Sequence, residues 1–223
     1  MTASLDKAAL RQRLRALRRR LAAQAPDAGR RAAALLPLER LPPFRSFSGY
    51  VAQGAEIDPV PLMARLAQAG AVAALPAAAH RDEPLVFRRW TPGQALEPDA
   101  FGIPSPPAGC EVLLPDLVIA PALAFDRRGG RLGQGAGHYD RTLENLRRAQ
   151  PVFVLGLAFA GQEVDEIPME PHDQRLDAIL TETGGGVLGV DHHEVELELA
   201  AQRRQVLGQA LAARSAHHVS EKG

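Results

Sequence analysis

The chain has 223 residues, 46% hydrophobic and 23% charged, which suits one α/β domain with small appendages and excludes a disordered chain. Basic and acidic residues both number 26, so the formal net charge is zero; no global field favours nucleic acid or an anionic membrane, and any phosphate site must be built locally. Cys110 is the only cysteine, which excludes an intrachain disulfide and a cysteine zinc site and makes a reducing, cytoplasmic setting the expectation.

The first segment, KAALRQRLRALRRRLAA, lacks the continuous apolar run of a secretory signal, and no stretch reaches the ~20 apolar residues that span a bilayer. Leu10, Leu14, Leu17 and Leu21 form one helical stripe, with Ser4 as N-cap and Pro26 beyond the end. Lys7, Arg11, Arg15, Arg18 and Arg19 lie off that stripe, and the plainer reading of them is a solvated face. A second helix is expected over residues 28–36, then a strand over residues 47–51. PVPLMARLAQAG reads as a helix opened by Pro59 and closed by Gly70. AVAALP and EPLVFRRW read as strands. This rhythm implies a parallel sheet with right-handed crossovers. The proline-rich residues 91–115 read as a long irregular connection.

DLVIAPALAFD is the most strongly apolar strand. The stretch RRGGRLGQGAG follows as a glycine loop, and HYDRTLENLRRAQ as a helix. PVFVLGLAF is the next buried strand, and a further strand ends at Thr181. TGGGVLGVD reads as a glycine-rich exit. Residues 193–214 are expected to form a helix, and the last residues to be unstructured.

The spacing of Gly133, Gly135 and Gly137 carries the functional argument. Alternate glycines let backbone N–H groups crowd an anion, and a following helix N-terminus adds free donors and partial positive charge. A strand, glycine loop and helix in series is therefore a candidate phosphate cradle, although such loops also serve as plain tight turns. A Gly-Lys-Ser/Thr ending is missing, which excludes a Walker loop. The pattern is GxGxG rather than GxGxxG, which argues against a dinucleotide fingerprint. Asp140, in the first helical turn, reads either as a dipole partner or, beside a polyphosphate, as a Mg²⁺ ligand. Arg131 and Arg141 flank the loop and suit phosphate oxygens.

PALAFDRRGGRLGQGAGHYDR closely resembles the signature of the 5-formyltetrahydrofolate cyclo-ligases. KAALR, YVAQGAEIDPVPLMARL, FGIPSP and PMEPHDQRLDAILTE fall in the order of that family, so the resemblance spans about residues 5–182. It implies a single three-layer α/β/α domain with a mostly parallel sheet, of the NagB/RpiA/CoA-transferase type, over residues 1–186, leaving 187–223 as a helical extension. It implies a ligase that cyclises 5-formyltetrahydrofolate to 5,10-methenyltetrahydrofolate with ATP and Mg²⁺, releasing ADP and phosphate. The chemistry suggests an N5-iminium phosphate on the way, since the formyl oxygen must become a leaving group.

Carried over residue by residue, the resemblance makes Lys7 and Arg11 nucleotide ligands. It makes Arg131, Leu132, Gly133, Gln134, Gly135, Ala136, Gly137, His138 and Tyr139 the nucleotide loop. It gives folate contacts to Val51, Glu56, Gln134, Gly135 and His138, and metal contacts to Asp140 and Asp173. Lys7, Arg131 and Asp140 are then the residues on which turnover depends. The folate substrate is expected with or without a polyglutamate tail, and the chain as a monomer or weak homodimer with neither nucleic acid nor membrane as partner. Two positions depart from the family pattern. His138 stands where the first of two aromatics is usual, and Ala136 where glycine or lysine is usual. These departures motivate a second reading, a non-catalytic folate- or nucleotide-binding relative. A third, a sugar-phosphate isomerase-like enzyme, would need no ATP. His172 is read as a neighbour that helps hold Asp173, and Cys110 as structural. Trp90 and Phe101 could wall a flat ring, with core packing the plainer reading.

Overall fold

A computed structural model describes residues 7–187, with side chains over 9–186. Ser4 and the helix expected at 193–214 lie outside the described residues. Helix α1 (Lys7–Gln24) is followed by α2 (Ala28–Leu35) and strand β1 (Ser46–Ser48). Then come α3 (Val60–Gln68), β2 (Val72–Ala77) and β3 (Val86–Arg89). The short strands β4 (Glu97–Pro98) and β5 (Pro104–Ser105) precede β6 (Leu117–Pro121), β7 (Ala124–Phe125) and β8 (Arg131–Leu132). Helix α4 (His138–Ala149), β9 (Phe153–Leu157), β10 (Ala178–Thr181) and β11 (Gly184–Val187) complete the order. Pro37–Pro43 belongs to a second compact unit, and within it the chain makes one 3-10 turn at Leu38–Arg40.

The main sheet has seven strands in the order β11-β10-β9-β6-β1-β2-β3. The five central strands run parallel, and β3 and β11 close the two edges antiparallel. The mostly parallel sheet anticipated from the βα rhythm is therefore present. In β6, Val118 and Ala120 pack in one core cluster with Leu143 and Leu146 of α4 and Val154 of β9. Leu117 and Ile119 point the other way by strand alternation and are equally inaccessible to water. A sheet strand buried on both faces is what a continuous apolar run such as LVIA encodes.

Four local readings change. The first strand is Ser46–Ser48 rather than reaching Val51, and at Gly49, which still bonds to the Ala74 carbonyl, Met63 of α3 approaches so closely that a Cβ would lie 2.3 Å from its sulfur. Residues 91–115 contain the β4–β5 hairpin. The glycine loop starts as a strand, since Arg131 and Leu132 pair with Phe125 and Ala124. The glycine-rich exit is an edge strand, with Gly184 to Val187 paired against Thr181 to Ala178. Side-chain propensity is silent for three glycines, so backbone pairing decides that strand.

α2 packs against α3, and Gly29 of α2 lies against Asp58 just before that helix. A Cβ on Gly29 would sit 2.2 Å from the Asp58 carbonyl oxygen. Gly→Ala inside a helix ordinarily gains up to ~1 kcal/mol. Here the clash with backbone wins, and Gly29→Ala is expected to destabilise the fold by about 1–3 kcal/mol, read as a lower Tm.

Candidate active site

The central order reverses between β1 and β6, because β2 lies to one side of β1 while β6, β9 and β10 lie to the other. In open parallel sheets, ligands bind beyond the carboxyl ends of the strands at such a switch point. A cleft of about 720 Å³ occupies this position. Tyr50 and Val51 follow β1, Ala78 follows β2, and Ala122 and Leu123 follow β6, and all five line it. The volume falls within the range of small-molecule sites.

One wall is the glycine loop. It is set up by Asp126, a buried carboxylate in the turn between β7 and β8. Asp126 Oδ1 accepts from the backbone N–H groups of Arg128 (2.9 Å) and Gly130 (2.8 Å), and Oδ2 from that of Ile167 (2.8 Å). Gly130 leaves no room for a side chain, as a Cβ would come 2.5 Å from Asp126 Oδ2. The three loop glycines each make space for an arginine. A Cβ would meet the Arg131 guanidinium at 3.0 Å from Gly133, that of Arg11 at 3.4 Å from Gly135, and that of Arg141 at 2.7 Å from Gly137. Gly135 (φ 109°) and Gly137 (φ 70°) also hold left-handed backbone that an L side chain resists. Gly137 caps α4, which brings the free N–H groups of that helix to the cleft.

The cations of α1 divide: Arg15 and Arg19 are exposed, as a solvated face requires, while Arg11 is half-buried and Arg18 is buried. Arg11 Nε donates to the Gly133 carbonyl at 3.1 Å. Arg15 donates through Nε to Gln134 Oε1 at 3.0 Å and through Nη2 to the Gln134 carbonyl at 3.3 Å. Arg18 Nη1 lies 3.2 Å from Glu56 Oε1, with the two side chains only 8% and 9% exposed. The apolar stripe explains this placement. Leu14 is buried with Leu123, Leu132 and Ile167, with Leu10 and Leu17 packed alongside, so the arginines on the neighbouring face are turned onto the loop. Lys7 begins α1, and its side chain lies outside the described residues.

The acids meet the loop through Arg131. Its Nη2 donates to Asp140 Oδ1 at 3.0 Å, with the side chains 3% and 18% exposed. The Gln174 backbone N–H donates to the same oxygen at 3.1 Å, which ties the Asp173–Gln174 turn to α4. Both bonds fall on Oδ1, so Oδ2 of Asp140 keeps its lone pairs. Asp173 also lines the cleft, accepts from the Glu170 backbone N–H at 2.7 Å, and has His172 Nε2 at 3.7 Å. Among the described residues no group of three or more His, Cys, Asp or Glu side chains could hold a metal ion. Two carboxylates completed by phosphate oxygens are the oxygen-rich set that suits Mg²⁺. Asp140 and Asp173, both in the cleft lining, are the residues that could take that role.

Glu56 and Val51 line the same cleft. Glu56 Oε2 accepts from the Gln53 backbone N–H at 3.0 Å. With Arg18 on Oε1, each oxygen keeps one lone pair for a ligand. Tyr50, beside it, donates its hydroxyl to the Ile57 carbonyl at 2.7 Å. Tyr139 carries the Arg131 guanidinium over its ring, 5.4 Å from the centroid. Burial, and then the charge of Glu56, push the Tyr139 phenol well above its ordinary value. It therefore stays a neutral donor and adds no repulsion beside an anion. His138 packs its ring 5.3 Å from that of Phe101 at a 58° tilt. Phe101 is 48% exposed, so it walls the cleft and is not a core residue. Trp90 and Cys110 lie outside the cleft lining, and Cys110 accepts from the Gln94 side-chain amide at 3.1 Å.

Buried polar atoms without partners concentrate here. Arg18 Nε, Arg131 Nε, His138 Nε2 and the Tyr139 hydroxyl belong to cleft-lining residues, and each is buried without a hydrogen-bond partner. Folded proteins rarely leave such groups unsatisfied, and four of the six such atoms among the described residues belong to this cleft's lining. Sequence reasoning missed Arg18 and Tyr50. Arg18 lies seven residues from Arg11, two helical turns along one face, but Arg13 and Arg20 share that spacing, so it gave no distinguishing signal.

The family model described as the 5-formyltetrahydrofolate cyclo-ligase family matches residues 3–182. The chain belongs to the 5-formyltetrahydrofolate cyclo-ligase family. It is accordingly an enzyme of the ligase class, in folate one-carbon metabolism. It is 36% identical over 152 residues to the 5-formyltetrahydrofolate cyclo-ligase of Mycolicibacterium smegmatis, covering 63% of this chain and 75% of the relative. It is 36% identical over 145 residues to the enzyme of that name from Escherichia coli K12, covering 62% and 75%. The NMR structure of Aquifex aeolicus 5,10-methenyltetrahydrofolate synthetase superposes with a TM-score of 0.63 at 25% identity, over 84% of this chain and 97% of that one. The Mycoplasma pneumoniae 5,10-methenyltetrahydrofolate synthetase shares the fold, with a TM-score of 0.62. Among the described residues no helix is long and apolar enough to cross a membrane.

Proposed function

We propose that the chain catalyses the ATP- and Mg²⁺-dependent cyclisation of 5-formyltetrahydrofolate to 5,10-methenyltetrahydrofolate, releasing ADP and phosphate. The observation that carries this reading is that one cleft joins two unlike walls. The glycine loop with Arg11, Arg131, Asp140 and Asp173 suits a metal-bound polyphosphate, and Glu56 with Val51 and Phe101 suits a flat heterocycle bearing N–H donors. Leu132, Gly133, Gln134, Gly135, Ala136, Gly137, His138 and Tyr139 form the nucleotide side in this reading, with Lys7 reaching in from the start of α1. Gln134, Gly135 and His138 serve both substrates.

The chemistry explains why both walls are needed. A formyl carbon on nitrogen is poorly electrophilic and its oxygen leaves poorly. The formyl oxygen attacks the γ-phosphorus, its bond to phosphorus forms, and the bond to the ADP oxygen breaks. The product is an N5-iminium phosphate. N10 then adds to the activated carbon, phosphate departs with the former formyl oxygen, and N10 gives up its proton. Bound Mg²⁺ supplies positive charge that offsets the phosphate oxygens. The chain itself orients the two reactants and donates hydrogen bonds from Arg131, Tyr139 and the loop amides, the preorganised work on which phosphoryl transfer depends. The proposal includes residues 1–186 as the catalytic domain and 187–223 as an extension. The chain acts in the cytoplasm as a monomer or weak homodimer, on folate with or without a polyglutamate tail, and with no nucleic acid or membrane partner.

The test is spectrophotometric. Purified chain, 5-formyltetrahydrofolate, ATP and Mg²⁺ should give growth of the methenyl chromophore with stoichiometric ADP, and no growth without ATP. ATP-independent turnover, or tight folate binding with no ADP release, would overturn the reading.

A further inference from the structure

The ion pair between Arg18 and Glu56 joins α1 to the loop after β1. Both side chains are almost fully buried, and both residues line the cleft. Burying two charges costs several kcal/mol per ion unless the geometry is tight and further hydrogen bonds complete it. The pair here is completed only in part. Glu56 gains a second bond from the Gln53 backbone, while Arg18 Nε is buried with no partner. An incompletely satisfied buried pair is weak ground for a role in stability alone.

Arg18 also stands on the same helix face as Arg11, seven residues and about 10.5 Å further along the axis. Arg11 holds the glycine loop through the Gly133 carbonyl. One rigid helix thus reaches the phosphate wall with one arginine and the Glu56 wall with the other.

We propose that Arg18 is a positioning residue for folate recognition: it fixes the carboxylate of Glu56 in the orientation that receives the paired N–H donors of the pterin edge. This rests on the folate reading of Glu56 given above. With one guanidinium nitrogen on Oε1 and the Gln53 amide on Oε2, the carboxylate is held at both oxygens, and each oxygen retains accepting capacity for one of two parallel donors. Arg18 acts through Glu56, at the folate end of the cleft, and not on the nucleotide.

Steady-state kinetics of the full chain test this, with folding of each variant checked by thermal melting. Arg18→Met is expected to raise KM for 5-formyltetrahydrofolate at least tenfold while KM for ATP stays within threefold. Arg18→Lys keeps the charge without the planar fork and should fall between wild type and Arg18→Met. In a Glu56→Gln background, Arg18→Met should add less than twofold, because the group it positions is already altered. Direct 5-formyltetrahydrofolate binding by calorimetry gives the same comparison without turnover, and Arg18→Lys supplies it if Arg18→Met does not fold. An unchanged folate KM, an equal rise for both substrates, or full additivity with Glu56→Gln overturns the proposal while the cyclo-ligase reading stands. No turnover by the wild-type chain sinks both.

Discussion

Asp140→Asn should lower turnover about 10²–10³-fold at saturating ATP and Mg²⁺, the size of effect expected when one preorganised charge is withdrawn from a developing anion. The substitution is isosteric. The amide oxygen can still accept from Arg131 Nη2 and from the Gln174 backbone, the two bonds that Asp140 Oδ1 makes. The loop and α4 therefore keep their arrangement, and what is lost is the negative charge that would grip Mg²⁺. The measurement is the initial rate of methenyl formation across a Mg²⁺ titration, with a melting curve alongside. A raised Mg²⁺ requirement is the expected result, together with a lowered Tm because the buried Arg131 guanidinium keeps its hydrogen bond but loses its counter-charge. Full activity in this variant would leave Asp140 as a dipole partner of α4 and remove the metal assignment.

Arg131→Met should cost both stability and activity. The guanidinium is nearly inaccessible to water, lies over the Tyr139 ring, and is paired with Asp140. Removing one partner of a buried pair leaves an uncompensated charge, with a penalty of about 3–5 kcal/mol. Asp140 retains some exposure, which places the expected loss toward the lower end, on the order of 10 °C in Tm for a chain of this size. Turnover should fall at least as far as in Asp140→Asn, because Asp140 loses its anchor and the loop loses a phosphate donor. Melting together with the rate at a temperature where both proteins are folded separates the two effects. A Tm within 2 °C of wild type, or a rate within threefold, would contradict the role assigned to Arg131.

The two variants probe one unit from opposite sides. Asp126 shapes the hairpin, the glycines admit the arginines, and Arg131 carries the constraint to Asp140 and on to the Gln174 turn. A change at any of these should move the same cleft wall. Changes at Glu56 and Arg18 should move the other wall and leave the nucleotide end alone.

The sequence by itself determined the parallel sheet, the glycine loop and the acid after it. LVIA and FVLGL are apolar without alternation because strands covered on both faces have no polar side to mark. Loop glycines at 135 and 137 are legible because left-handed backbone admits little else. The motif order was enough to name the family. What only the tertiary structure decided is which charges matter. On α1 the arginines look alike in sequence, and local spacing gives no means of telling a solvated cation from one turned inward. The leucine stripe docks against Leu123, Leu132 and Ile167, and that docking alone puts Arg11 on Gly133 and buries Arg18 against Glu56. In the same way β11 exists because β10 offers it an edge, not because three glycines favour a strand. Helix and strand patterns are local and survive in the sequence; burial and ion pairing depend on residues far away in the chain, and appear only once the fold has brought them together.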